Sequence, residues 1–238
     1  MVNESRGIQS VERAMSILEV IAASGGEVRL TDLVDSLGLH KSTLHGLLNT
    51  LCAMGYISRR GTRYALGFRL REIAQPLSDS DLILREEFFP VLETMAKLTD
   101  ENCYLAVPCG TRHYIYLDMI EVVPGTSRVP RGRRESLTTS AMGKVFLALD
   151  GDLTRSLRNA GLLDAQLEDE IKAIVERGFA LDLQQAEVGL NCMALPLRKK
   201  GRMVAAVSVA APSDRLSARN LEAIAGGMMR HLYDIIKL

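Results

Sequence analysis

The chain has 238 residues, 47% apolar and 24% charged, with 29 Lys and Arg balanced by 29 Asp and Glu. This composition excludes a disordered or low-complexity chain and fits one or two globular domains, each able to bury a core. No apolar run reaches the roughly 18 residues of a membrane span, and residues 1–10 lack the apolar centre of a secretion signal, so a cytoplasmic protein with no membrane partner is expected.

The first 71 residues hold nine Lys and Arg against six acids, leaving 20 bases against 23 acids in the rest. A basic front end suits a phosphate-binding module. Val11, Ala14, Met15, Leu18 and Ala22 follow helical spacing, and Gly25-Gly26 stops the run. A short second helix is predicted around Leu33, Val34 and Leu37, with Thr31 to cap its start and Gly38 to end it. A third begins near Lys41-Ser42. At about 100° per residue, Leu44, Leu47, Leu48 and Leu51 share one side, while Ser42, His45, Gly46 and Asn49 share the other. A short helix, a glycine turn and a helix with a small polar face form a helix-turn-helix, whose last helix suits the major groove. Tyr56–Arg60 and Arg63–Leu66 read as a hairpin turning at Gly61-Thr62, with Arg59, Arg60 and Arg63 crowded on it. Such a wing can lie along phosphates or place an arginine in the minor groove. The plain alternative for both features is a solvated surface.

Arg69 to Leu84 reads as a connector that Pro76 and Ser78-Asp79-Ser80 break into two helical pieces, and Glu86 to Leu98 as a further helix. Strands are predicted at Tyr104–Val107, His113–Ile120, Asn191–Leu197 and Met203–Ala210, with a closing helix at Leu221–Ile236. This order is neither a helical bundle nor a regular βαβ repeat. No G-x-G-x-x-G or Walker loop is present, so no nucleotide cofactor is expected. Cys52, Cys103, Cys109 and Cys192 show no C-x-x-C spacing, and four scattered histidines add no metal pattern. The cysteines read as free thiols.

Several stretches resemble the IclR-type bacterial regulators. Ser10-Val11-Glu12-Arg13-Ala14 is similar to that family's helix-one opening, Lys41-Ser42-Thr43-Leu44-His45 to its recognition helix, and Tyr64-Ala65-Leu66-Gly67 to its wing exit. Further on, Arg133 and Arg134 precede Thr139-Ser140-Ala141-Met142-Gly143-Lys144, which resembles its effector-domain loop and helix. Gly189-Leu190-Asn191-Cys192-Met193-Ala194-Leu195-Pro196, then Val204–Val209, follow at family-like spacing. The resemblance implies an α+β architecture: a winged helix-turn-helix over 1–68, a linker helix over 69–85, and a GAF-like α/β effector-binding domain with a curved antiparallel sheet over 86–238. It further implies a sequence-specific transcription regulator, a repressor or activator of a catabolic operon. Its partners would be a double-stranded DNA operator, a small organic-acid effector and further copies of itself, as a homodimer or dimer of dimers.

Carried over by position, Lys41, Ser42, Thr43, His45 and Asn49 would face DNA along with Arg59, Arg60 and Arg63. Ser140, Ala141, Met142, Asp182, Gln185, Cys192 and Ser208 would line the effector pocket. A loop of amides at a helix start suits a carboxylate, and small hydroxyl and thiol side chains leave room for a ligand. The chain departs from the family's pattern at Gly46, where arginine is usual, at Gln185, commonly glutamate, and at Ala210, a serine in some members. The last two point to a less polar pocket and an aromatic or larger organic acid. Two other classes remain open at this point: a winged-helix module that binds protein, and a cysteine enzyme using Cys192 with His113 or His231.

Overall fold

The computed structural model describes residues 7–122, 124–125 and 132–236, and the chain divides into two compact units, Met1–Ser80 and Asp81–Leu238.

In the first unit, helix α1 (Gln9–Ala23) buries Ile17 and Ile21 beside half-buried Ala14 and Leu18. Val11 and Met15, which belong to the run with helical spacing, are 52% and 54% exposed. Two apolar arcs overlap on this helix, and periodicity finds both without choosing which faces the core. Strand β1 (Glu27–Arg29) runs straight into α2 (Leu30–Leu37). That early start moves the cap away from Thr31. The Arg29 amide donates to Asp32 Oδ2 at 3.1 Å, while Thr31 lies in the first turn with its hydroxyl on Asp32. Gly38, at φ 62°, ends the helix as expected, its amide donating to the Val34 carbonyl.

Helix α3 (Lys41–Ala53) buries Leu44, Leu48 and Leu51 and half-buries Leu47. Each wholly buried leucine contributes about 1.5–3 kcal/mol of apolar burial. These four hold α3 in place, which leaves its polar face free for another task. Strands β2 (Ile57–Arg60) and β3 (Arg63–Leu66) form the expected hairpin, with β1 added on the far side of β3 in a three-stranded antiparallel sheet of order β1-β3-β2. Where the hairpin ends, the Gly67 amide donates to the Tyr56 carbonyl at 2.8 Å, and a Cβ on Gly67 would lie 2.0 Å from the Gly55 oxygen.

The connector forms no break. Arg69–Thr99 is a single helix, α4. Pro76 costs one backbone bond to the Glu72 carbonyl. The serines turn back along the helix instead of starting a new one: Ser78 donates to the Ala74 carbonyl at 3.2 Å and Ser80 to the Pro76 carbonyl at 2.9 Å. Gln75 also bonds Asp79 across the same turn at 2.8 Å.

The second unit is a six-stranded, wholly antiparallel sheet of order β6-β5-β4-β9-β8-β7. Its strands are β4 (Cys103–Cys109), β5 (His113–Ile120), β6 (Arg134–Ser136), β7 (Ala180–Leu183), β8 (Leu190–Lys199) and β9 (Arg202–Pro212). Register shifts at Leu105/Ala106 and Leu197/Arg198 add twist and curvature. One face packs on Phe88, Val91, Leu92 and Met95 of α4 and on Leu221, Ala225 and Met228 of α8 (Ala218–Ile236). The other is covered by α5 (Ala141–Leu149), α6 (Gly151–Asn159) and α7 (Ala165–Arg177). A sheet covered on both sides explains why β8 and β9 read as unbroken apolar runs. Size still alternates along them. Met193, Leu195 and Val207 face α4 and α8, while Cys192, Ala194, Ala206 and Ala210 face α5–α7. Among the described residues, no helix is long and apolar enough to cross a membrane, and no cluster of His, Cys, Asp or Glu could hold a metal ion.

Candidate functional site

On α3, Lys41, Ser42, His45, Gly46 and Asn49 are exposed and Thr43 is half-buried. The five α3 positions predicted for DNA contact therefore lie on or beside one polar face. The hairpin arginines differ among themselves. Arg59 donates from Nε to the Gly61 carbonyl at 3.1 Å, and its guanidinium lies 5.9 Å from the Tyr64 ring centroid, so it braces the turn while remaining exposed. Arg60 stands directly opposite Arg63, and Arg63 directly opposite Arg29 of β1. Three exposed arginines thus form a row across three strands, none with an ion-pair partner among the described residues. Like charges placed opposite each other cost a sheet about 0.2–1 kcal/mol per pair. A row of anions laid along these strands would reverse that cost. Arg29 was not identified from sequence, because a three-residue strand carries too little alternation to reveal its partner.

In the second unit a cavity of about 480 Å³ lies between the sheet and the start of α5. The small side chains Cys192, Ser208 and Ala210 open it on β8 and β9, and Tyr104, Tyr114 and Tyr116 wall it on β4 and β5. Tyr116 meets Tyr104 and Tyr114 edge-to-face, with ring centroids 5.6 and 5.3 Å apart. The Tyr114 hydroxyl lies 2.8 Å from Ser140 Oγ and 3.1 Å from the Tyr116 hydroxyl. Burial pushes both phenols up from their ordinary values, so they stay protonated. Ser140 caps α5 by accepting the Gly143 amide at 3.2 Å, and the amides of Ala141 and Met142 in the same first turn have no intrahelical acceptor among the described residues.

Asp182 lies on the far side of the cavity and is almost wholly buried. Its Oδ1 accepts the amides of Gln185 and Ala186 at 2.8 and 3.2 Å, whereas Oδ2 is buried with no hydrogen-bond partner among the described residues. At the rim, Glu135 accepts from Arg133 at 2.7 Å and Glu101 from Arg215 at 2.6 Å. Burial first, then the Asp182 and Glu187 carboxylates, push the Cys192 thiol up to about 12. A nucleophilic cysteine needs the opposite shift. His113 pairs in register with Cys109, not with Cys192, and the His231 side chain lies outside the described residues.

Of the seven residues predicted for the pocket, Ser140, Ala141, Met142, Asp182, Cys192 and Ser208 line this cavity, and Gln185 does not. After β7 the chain reverses at Gln184, which has φ 62°, and this carries the Gln185 side chain behind the wall. There it accepts from the buried Lys144 ammonium, which also pairs with Glu170, at the edge of a second, more open cavity of about 330 Å³. Burial works to raise the Glu170 carboxyl, but the bonds from Lys144, Gln166 and Gln185 outweigh it and the net shift is downward. Gln185 thus belongs to the Lys144 network and supplies it with a neutral acceptor. The tyrosine wall was missed because only the sheet register brings β4 and β5 beside β9.

These features match known proteins along nearly the whole length. The helix-turn-helix domain of IclR regulators matches residues 10–61, and the family described as bacterial transcriptional regulator IclR C-terminal matches residues 77–232. The chain belongs to the IclR family. It is a DNA-binding transcription regulator with an amino-terminal helix-turn-helix and a carboxy-terminal effector domain. The HTH-type transcriptional regulator XynR of Escherichia coli (strain K12) is 31% identical over 231 residues, covering 90% of each chain. An IclR family regulator from Brucella abortus shares the fold with a TM-score of 0.72 at 20% identity, over 98% of this chain and 93% of that one. An IclR homologue from Microbacterium hydrocarbonoxydans, solved with 4-hydroxybenzoate, gives a TM-score of 0.71 at 20% identity, over 96% and 99%.

Proposed function

We propose that this IclR regulator binds a small organic acid in the 480 Å³ cavity and that occupancy changes its affinity for an operator. The observation that carries this reading is the pairing of two unmet needs in one cavity. The Ala141 and Met142 amides at the start of α5 suit a carboxylate, and Asp182, a lining residue whose buried Oδ2 has no partner among the described residues, suits a donor on the same ligand. The linked hydroxyls of Ser140, Tyr114 and Tyr116 share two bonds among three protons, which leaves one O–H to donate to the ligand. The volume exceeds what a two- or three-carbon acid fills, which favours a larger or aromatic acid. The Microbacterium homologue's complex with 4-hydroxybenzoate supports that class.

Lys41, Ser42, Thr43, His45 and Asn49 enter the major groove and read base edges, while Arg59, Arg60, Arg63 and Arg29 lie along phosphates. Operators are read by pairs of winged helices, so the protein works as a dimer or dimer of dimers. Ile8, Val11 and Met15 form an exposed apolar stripe at i, i+3, i+7 on and before α1, and Ile73 and Leu77 a second on α4, each suited to a second copy. The effector acts by binding one spacing of the paired winged helices better than the other.

The test is fluorescence anisotropy of the duplex upstream of the protein's own gene, titrated against salt and competitor DNA. Tight, salt-dependent and competitor-resistant binding is expected. Salt-insensitive binding to a protein partner, with none to duplex DNA here or in a genome-wide selection, would overturn the reading.

A further inference from the structure

Gly46 stands in the middle of the exposed face of α3, between Ser42 and Asn49. Glycine is among the poorest residues for a helix interior and costs about 1 kcal/mol there against alanine. The usual internal reasons are absent: α3 is regular through this point, φ at Gly46 is not positive, and a Cβ there would meet no atom within 4 Å. This is the reverse of Gly67 and Gly143, where a Cβ would strike backbone at 2.0 and 2.4 Å. The fold has room for a side chain at Gly46, so no contact among the described residues requires glycine there. One helical turn on, the exposed Thr50 donates its hydroxyl to the Gly46 carbonyl at 3.0 Å. With its hydroxyl engaged, Thr50 keeps its methyl as the remaining group of an exposed side chain on the same helix face as Gly46. The result is a shallow notch with an apolar wall on an otherwise polar face.

We infer that this notch admits the 5-methyl group of a thymine in the major groove, making Gly46 and Thr50 specificity-determining residues for one T·A pair in each half-site. The thymine methyl is the one apolar group on any base edge in that groove, and threonine methyl is a natural contact for it. Close approach of the helix backbone offsets the helix-propensity cost of glycine.

The inference rests on α3 being the base-reading helix, so its test runs on the full chain with the operator found by the anisotropy experiment, thymidine being replaced by deoxyuridine one position at a time. In the wild type, one symmetric position should lose about fourfold in affinity per half-site, the value of one buried methyl. Gly46→Ala should raise the melting temperature by about 2–4 °C, bind the thymine operator about tenfold more weakly, and lose the preference for thymine over uracil. Thr50→Ser should lose that preference too, and Thr50→Val should keep it. Gly46→Ala binding as tightly as the wild type, or no position sensitive to deoxyuridine, would overturn the notch. His45→Ala, measured alongside, separates the two readings. If it relaxes sequence preference while Gly46→Ala changes nothing, the notch alone falls; if it and Asn49→Ala both leave preference intact, α3 does not read bases and both fall.

Discussion

Replacing Gly143 by alanine probes the join between helix α5 and the pocket. A Cβ at this position would lie 2.4 Å from the Leu137 carbonyl oxygen and 2.6 Å from its carbonyl carbon and Cα, all backbone atoms. An ordinary contact begins near 3.4 Å, so the 137–140 segment or the helix must give by about 1 Å. Overpacking of this kind costs about 1–3 kcal/mol, against which alanine returns about 1 kcal/mol of helix propensity, leaving a net loss of about 0–2 kcal/mol. The larger effect falls on function. The segment that must move carries Ser140, which caps α5, bonds Tyr114 and lines the cavity. Hydrogen bonds weaken steeply once 1 Å is added to a 2.8 Å separation. Gly143→Ala should therefore melt within a few degrees of the wild type yet bind the organic acid at least about tenfold more weakly in isothermal titration. Gly67→Ala is the control: it strikes the Gly55 carbonyl in the other unit and should lower stability while leaving effector affinity intact. Unchanged effector affinity in a folded Gly143→Ala protein would refute the pocket assignment.

Three further outcomes follow from the geometry. Arg63→Ala and Arg29→Ala should each weaken binding to all sequences and reduce the salt slope by about 0.9, whereas His45→Ala and Asn49→Ala should chiefly relax sequence preference; anisotropy with matched and mismatched duplexes separates them. Lys144→Met removes the buried partner of Glu170 and Gln185, and because Glu170 is 26% exposed the loss is discounted to about 2 kcal/mol. The folded carboxyl titrates below its ordinary 4.5, so this stability difference should hold above pH 4.5 and shrink as pH falls further, read by denaturation at several pH values. Cys192, with its thiol pushed up to about 12, holds on the order of 10⁻⁵ thiolate at neutral pH, so iodoacetamide should label it slowly, and faster by about tenfold per pH unit while the fold persists. Rapid labelling at pH 7 would reopen the enzyme reading.

The parts legible in sequence are those whose signal is local. Leu44, Leu47, Leu48 and Leu51 mark the inner side of α3, and β5 begins and ends where its strand-like run does, at His113 and Ile120. Local signals failed where two answers had equal local support. Val11 and Met15 make as good a stripe as Ile17 and Ile21, and Pro76 with two serines reads as a break until the hydroxyls are seen bonding back along α4. Features set by distant pairing left no local mark. The row Arg29–Arg63–Arg60 exists only once β1 pairs with β3, and the tyrosine wall only once β4 pairs with β9. Six residues that line the 480 Å³ cavity were named by resemblance alone, and Gln185, named with them, lines the second cavity, a difference that follows the reversal at Gln184, which resemblance in sequence does not carry.

The most direct measurement is of reciprocity between the two sites. Thermal-shift screening of organic acids identifies a ligand, whose dissociation constant is then measured with and without saturating operator, alongside that of the operator with and without saturating ligand. Binding in the cavity that controls DNA affinity requires the two ratios to agree, with typical couplings of about 5- to 150-fold. Equal ratios, abolished together by Asp182→Asn or Gly143→Ala, are the expected result. A ligand that binds in the cavity and leaves operator affinity unchanged would contradict the account.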